Sequence, residues 1–201
     1  TAVTLPEKSD RLALNLSAGV AGMGIVATLI TTITRLVELA PGHDIPVRVP
    51  LDDAAVGLPL GPGGSLTEGV VDNATVFVSE PDSLTLFALW AEPLVWGAMW
   101  AGLLLIGGML CLRFARAQAF TRTTSRLLLA AAIIVAAGWG LGSIFSNIAA
   151  NGALAEVSGG THEGFSYEFS LAAIIGIVAL GAFAIAIQAG ERLQRETEGL
   201  V

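Results

Sequence analysis

Four stretches of this chain run without a charged side chain for long enough to cross a lipid bilayer, and few folds are open to such a chain. Leu12 to Ile33 is uncharged over 22 residues, which as a helix is about 33 Å, the thickness of a hydrocarbon core. Pro93 to Leu112, Leu127 to Ala150 and Leu171 to Ile187 are the other three. In lipid every backbone N–H and C=O must be paired within the segment itself, so the expected fold class is an all-α integral membrane protein, a four-transmembrane-helix bundle. With only 13% charged residues the chain stands well apart from soluble domains, which carry about 25%. The first apolar run is longer than the roughly 7–15 residues of a signal-peptide core, so it is read as a retained span.

Loop charges give the orientation. Lys8, Arg11, Arg113, Arg116, Arg122, Arg126, Arg192 and Arg195 fall on one side of the four spans, and only Arg35 and Arg48 on the other. Lys and Arg resist translocation, so both termini and the hairpin 113–126 are expected in the cytoplasm, with the chain in a plasma membrane. The loops 34–89 and 151–169 then face outward, and they hold most of the acids behind the formal charge of −7. That acidic surplus leaves no basic stripe for nucleic acid. Trp90, Trp96 and Trp100 gather near the outer end of the second span, where indoles favour the interface. Glu92-Pro93 reads as the start of that helix: proline suits the first turn and a carboxylate favours the positive end. The domain reading is one membrane domain over 1–201, with 34–89 as an extracytoplasmic insertion and 188–201 as a cytoplasmic tail.

The insertion is too long for a turn. Ile45, Val47, Val49 and Leu51 alternate with other residues, prolines among them, as an edge strand does. Leu58 to Ser65 is turn-rich around Gly61-Pro62-Gly63-Gly64, and Ala74 to Ser79 reads as a second short strand. A lone hairpin is marginal in water, so a β-element on the outer helix ends needs something to pack on, either the second outer loop or another protein.

Candidate chemistry is sparse. None of the four spans contains Asp, Glu, Lys, Arg or His, which argues against proton-coupled transport, pumping and intramembrane haem ligation. Met23, Met99 and Met109 are expected to be packing residues. His43 and His162, with Asp44 and Glu163 beside them, would make a metal site only if the two outer loops met; without a ligand spacing, exposed polar residues are the preferred reading. Cys111, the single cysteine, is read as a small packed hydrophobe in preference to a lipidation or redox site. Asn73-Ala74-Thr75 matches a glycosylation sequon, relevant only to a eukaryotic secretory route. No catalytic residue, cofactor or metal is expected.

Two patterns suggest contacts. Gly138, Gly142, Ser146 and Ala150 recur every four residues in the third span, and Gly19 and Gly22 with Ala18, and Ala172 with Gly176, form similar patches in the first and fourth. Small residues let helices approach closely, within the bundle or against a partner. Asn147 and Asn151 either bond across helices or mark the interface. Arg113, Arg116, Arg122 and Arg126 form an acid-free cytoplasmic hairpin that suits anionic lipid headgroups, although a plain orientation signal accounts for them as well.

The segment Phe120-Thr121-Arg122-Thr123-Thr124-Ser125-Arg126-Leu127 and the close Gly190-Glu191-Arg192-Leu193-Gln194-Arg195-Glu196-Thr197-Glu198-Gly199-Leu200-Val201 resemble a family of uncharacterised four-span actinobacterial-type membrane proteins. Ala117 and Thr124 depart from that family's usual glycine and asparagine. The resemblance implies the same four-span layout with a β-containing first outer loop, and it carries no activity. Physically, Thr121 or Thr123 to Ser125 would cap the third helix, and the tail would continue the fourth.

The expected function is therefore a non-catalytic membrane subunit that packs against a larger plasma-membrane complex, respiratory or transport, or against itself, with lipid as its solvent. The alternative is a membrane sensor or regulator whose outer loop binds a ligand and whose cytoplasmic face signals. A lipid enzyme or transporter is disfavoured for want of a His, Asp or Ser cluster.

Overall fold

The computed structural model describes residues 8–59, 65–116, 121–160 and 171–198. These form α1 (Lys8–Leu39), β1 (Ile45–Leu58), β2 (Thr67–Val78), α2 (Ser83–Ala115), α3 (Arg122–Val157) and α4 (Leu171–Glu198). The chain is mostly helical with one small sheet, and α1, α2 and α3 are each long and apolar enough to cross a membrane. The apolar stretch of α4, Ile174–Gly190, is shorter. The residues divide into two compact units: a helical unit of Thr1–Thr34, Leu94–Leu141 and Ser170–Val201, and a sheet unit of Arg35–Pro93 and Gly142–Phe169.

In the helical unit the helices meet in chain order through small residues. A Cβ placed on Gly24 would lie 3.0 Å from Leu104 Cδ1, and one on Gly97 would overlap Thr32 Oγ1, so α1 and α2 touch where glycine opens the surface. Gly102 against Ile134 and Gly138 against Met99 do the same between α2 and α3. The α3–α4 contact is polar: Ser125 Oγ donates to the Ala184 carbonyl at 3.3 Å and accepts from Gln188 Nε2 at 2.8 Å. Burying such a pair away from water favours its formation, because unpaired polar groups there are costly.

The sheet unit has its own core. β1 and β2 pair antiparallel from Ile45↔Val78 to Leu58↔Thr67, with the register broken between Pro50 and Ala54. Alternation puts Ile45, Val47, Val49 and Val78 on one face, and all four are buried. That face packs on Leu39 from the end of α1, Ala88 and Leu89 from the start of α2, and Ala149, Ala153 and Leu154 from the end of α3. The hairpin thus finds its packing partner in this chain's own helix ends, and the second strand is longer than Ala74–Ser79. Arg35 bolts α1 to the sheet, donating to Glu38 Oε2 at 3.1 Å and to the Pro46 carbonyl at 2.7 Å. Gly42 at φ 73° follows the end of α1, a left-handed position that glycine takes without strain.

The start of α2 differs from the sequence expectation. The helix begins at Ser83, ten residues ahead of Pro93, which lies inside it. Asp82 supplies the cap: its carboxylate accepts from Thr85 N at 3.1 Å and Leu84 N at 3.4 Å, and its carbonyl accepts from Leu86 N at 2.9 Å. An internal proline forfeits one helical hydrogen bond. Burial of Ala88 and Leu89 under the sheet holds the extra turns in place despite that loss. Thr121 caps α3, accepting from Thr124 N at 3.3 Å, as its position before Arg122 suggests. The second outer loop expected over 151–169 starts later, since α3 continues to Val157; its residues 161–169, with Phe120, Gly61 to Gly64 and the final residues 199–201, lie outside the described residues.

Candidate functional site

The small-residue positions separate into packed and open. Gly138 is packed: a Cβ there would sit 2.6 Å from Met99 Cβ and Cγ, and Met99 is buried. Gly142 is buried. Ser146 donates to Glu92 Oε1, joining α3 to α2 within the sheet unit. By contrast Gly19, Gly22 and Gly176 have nothing within 4 Å of their would-be Cβ atoms. Gly19 lies on an α1 face where Leu12, Leu16, Val20, Met23, Ile30 and Val37 are each more than half exposed. Spacings of three, four and seven set these along one side of the helix, and Ala18, Ala21, Gly24 and Thr32 on the other side meet α2.

The arginines of the 113–126 hairpin also differ among themselves. Arg113 is half-buried and donates to Thr121 Oγ1 at 3.0 Å, so it braces the cap of α3. Arg116, Arg122 and Arg126 are exposed. His43 and Asp44 are exposed neighbours, with Nδ1 and Oδ2 3.5 Å apart. His162 and Glu163 lie outside the described residues, and among the described residues no group of three or more His, Cys, Asp or Glu could hold a metal ion. Cys111 is a free thiol of intermediate exposure.

One cavity of about 730 Å³ opens in the sheet unit between the start of α2 and the end of α3. Helical spacing builds one wall: Ile144, Asn147, Ile148, Asn151, Gly152 and Ala155 share a face of α3. Leu84 and Thr85 of α2 form the other wall, and Glu80, Asp82 and Glu156 stand at the mouth. The polar groups are held in place. Glu156 Oε1 accepts from Ser79 N at 2.9 Å and Glu80 N at 3.0 Å, which ties the β2–α2 connection to α3. The Asn147 and Asn151 amides donate to the carbonyls of Ser143 and Asn147, one turn back, at 2.7 and 2.8 Å. Hydrogen bonds from the Thr85 hydroxyl and backbone N–H hold the Asp82 carboxyl below its ordinary value of 3.8, so it is ionised near neutrality. Gly152 lets the two walls close: a Cβ there would overlap Thr85 Oγ1.

Among the described residues lining it, three carboxylates, two asparagine amides and the Thr85 hydroxyl are the polar groups. By residue order alone Asp82, Leu84 and Thr85 fall in the outer loop 34–89, and the site they line is hidden. The signal was present in Asp82-x-x-Thr85 before the apolar run Leu86 to Trp90, a helix start with its cap. No family model, no curated protein and no solved structure matches this chain.

Proposed function

We propose that the chain is a non-catalytic, four-span protein of a bacterial plasma membrane, an accessory subunit that packs against a larger membrane assembly or a further copy of itself. In this reading α4 is the fourth span, both termini and the hairpin 113–126 are cytoplasmic, and the sheet unit faces outward, as the excess of basic residues on the opposite side requires. The likeness of the Phe120–Leu127 and Gly190–Val201 segments to uncharacterised four-span actinobacterial-type proteins is part of the same proposal.

One observation carries the subunit reading. Gly19 and Gly22 stand in open space on a helix that buries none of its most apolar window. Facing lipid, a glycine gives up side-chain dispersion contacts and costs roughly 1 kcal/mol in helix propensity against alanine. Facing a second helix, the same residue permits the close backbone approach on which association in lipid depends. The test is affinity capture of a tagged protein at native expression level in mild detergent. A partner should copurify in fixed stoichiometry, be lost from Gly19→Leu/Gly22→Leu, and be retained by Leu16→Ile on the same helix. Recovery as a monodisperse monomer under those conditions would defeat the proposal.

A further inference from the structure

The cavity of the sheet unit is unrelated to the helix faces of α1, and its occupant can be argued separately. At about 730 Å³ it falls within the roughly 300–1,000 Å³ of small-molecule sites. Its walls are chiefly apolar, through Leu84, Ile144, Ile148 and Ala155, while every charged side chain lining it is a carboxylate. Two of the three carboxylates are built into the fold, Asp82 as a helix cap and Glu156 as the clasp on Ser79 and Glu80. Their charge is therefore positioned before any ligand arrives, and a ligand meets no reorganisation cost at the mouth. An anion would face three like charges there, and a wholly apolar ligand would gain nothing from them. A small hydrophilic cation would leave the apolar wall wet.

We infer that this cavity binds an amphiphilic cation, with an ammonium or quaternary ammonium head between Glu80, Asp82 and Glu156 and a short hydrocarbon body along Leu84, Ile144 and Ile148. Two sources share that chemistry: a free single-chain amine, and the ethanolamine head of a membrane phospholipid with part of its chain. The phospholipid also brings a phosphate toward the acidic mouth, so the free single-chain cation is the fitting occupant.

The test uses the full chain in nanodiscs of digalactosyldiacylglycerol, a neutral lipid without an ammonium head, with octyltrimethylammonium as the probe and octyl glucoside and octyl sulfate as its neutral and anionic counterparts. Binding is read by equilibrium dialysis against empty discs. The expected result is saturable uptake of one octyltrimethylammonium per chain, weaker for the neutral probe and absent for the sulfate. Glu80→Gln/Glu156→Gln should weaken it about tenfold, since each exposed ion pair is worth up to a factor of about five. The glutamine at 156 keeps an oxygen to accept the Ser79 and Glu80 N–H groups, so the fold is retained. Ala155→Trp, at an exposed wall position, should abolish uptake by filling the space. If phosphatidylethanolamine added to the discs displaces the probe, the site is upheld with lipid as its physiological source; if it does not, a free amine is. Equal uptake of all three probes, or uptake unchanged in both variants, would overturn the inference. Neither result depends on whether α1 binds a partner.

Discussion

Gly152→Ala is the substitution that most directly probes how the sheet unit is assembled. The added Cβ would overlap Thr85 Oγ1 and lie 2.7 and 2.8 Å from Thr85 Cγ2 and Cβ, where carbon atoms normally rest at about 3.5–4.0 Å. Thr85 has little freedom to yield. It is 3% exposed, β-branched and so stiff at χ1, and bound through its backbone N–H to Asp82 at 3.1 Å. Overpacking of this kind costs about 1–3 kcal/mol, against a gain of up to about 1 kcal/mol from replacing glycine in a helix. The net expectation is a loss of about 1–2 kcal/mol. Gly140→Ala in the same helix has nothing within 4 Å of its new methyl and should be neutral or slightly stabilising. Thermal unfolding in one detergent compares the two, and hydrogen exchange at the Thr85 to Leu89 amides localises the effect. Thr85→Ala removes the struck hydroxyl and methyl and leaves only its Cβ close, so Gly152→Ala should cost less in the Thr85→Ala background than in the parent protein. Additive losses in that cycle, or a Gly152→Ala protein as stable as Gly140→Ala, would refute the close α2–α3 approach.

Three further outcomes are expected. Because hydrogen bonds hold the Asp82 carboxyl below 3.8 in the folded chain, its stabilisation of the α2 start is full above that pH and is lost as pH falls through the lower folded value. Protection of the Leu84 and Thr85 amides, taken relative to their intrinsic exchange at each pH, should therefore fall in acid in the native protein, and Asp82→Ala should remove that pH dependence. Ile45→Ala, at a side chain with no exposure, should cost about 2–5 kcal/mol, whereas Val70→Ala, at 64% exposure, should change stability by less than about 0.5 kcal/mol; limited proteolysis of the sheet unit distinguishes them. For the proposed orientation, in a Cys111→Ser background, Glu68→Cys should react with an impermeant maleimide on intact cells and Arg122→Cys only after lysis. The reverse pattern would turn the protein over in the membrane.

Several features of the fold were legible from residue order alone, because they depend on local rules. Uncharged runs near Leu12–Ile33, Pro93–Leu112 and Leu127–Ala150 mark α1, α2 and α3, since backbone pairing within one segment needs no knowledge of its neighbours. The alternation of Ile45, Val47 and Val49 marks the buried face of β1, since side chains on a strand change sides at every residue. A hydroxyl cap for α3 follows from the run of Thr and Ser ahead of an apolar helix, and of Thr121 or Thr123 to Ser125 the structure takes Thr121. Tertiary structure decided the rest. Pro93 looks like a helix start when local chemistry alone is considered, and it becomes internal because the sheet buries Ala88 and Leu89 and holds the preceding turns helical. Gly138 and Gly19 belong to the same residue class and are both set among apolar neighbours in sequence, yet one receives Met99 and the other faces open space. Sequence spacing fixes which face a residue occupies, whereas which face meets another helix depends on the axes of two elements far apart in the chain. The cavity is of that second kind throughout: Glu80 and Asp82 meet Asn151 and Glu156 only because β2, α2 and α3 share one core.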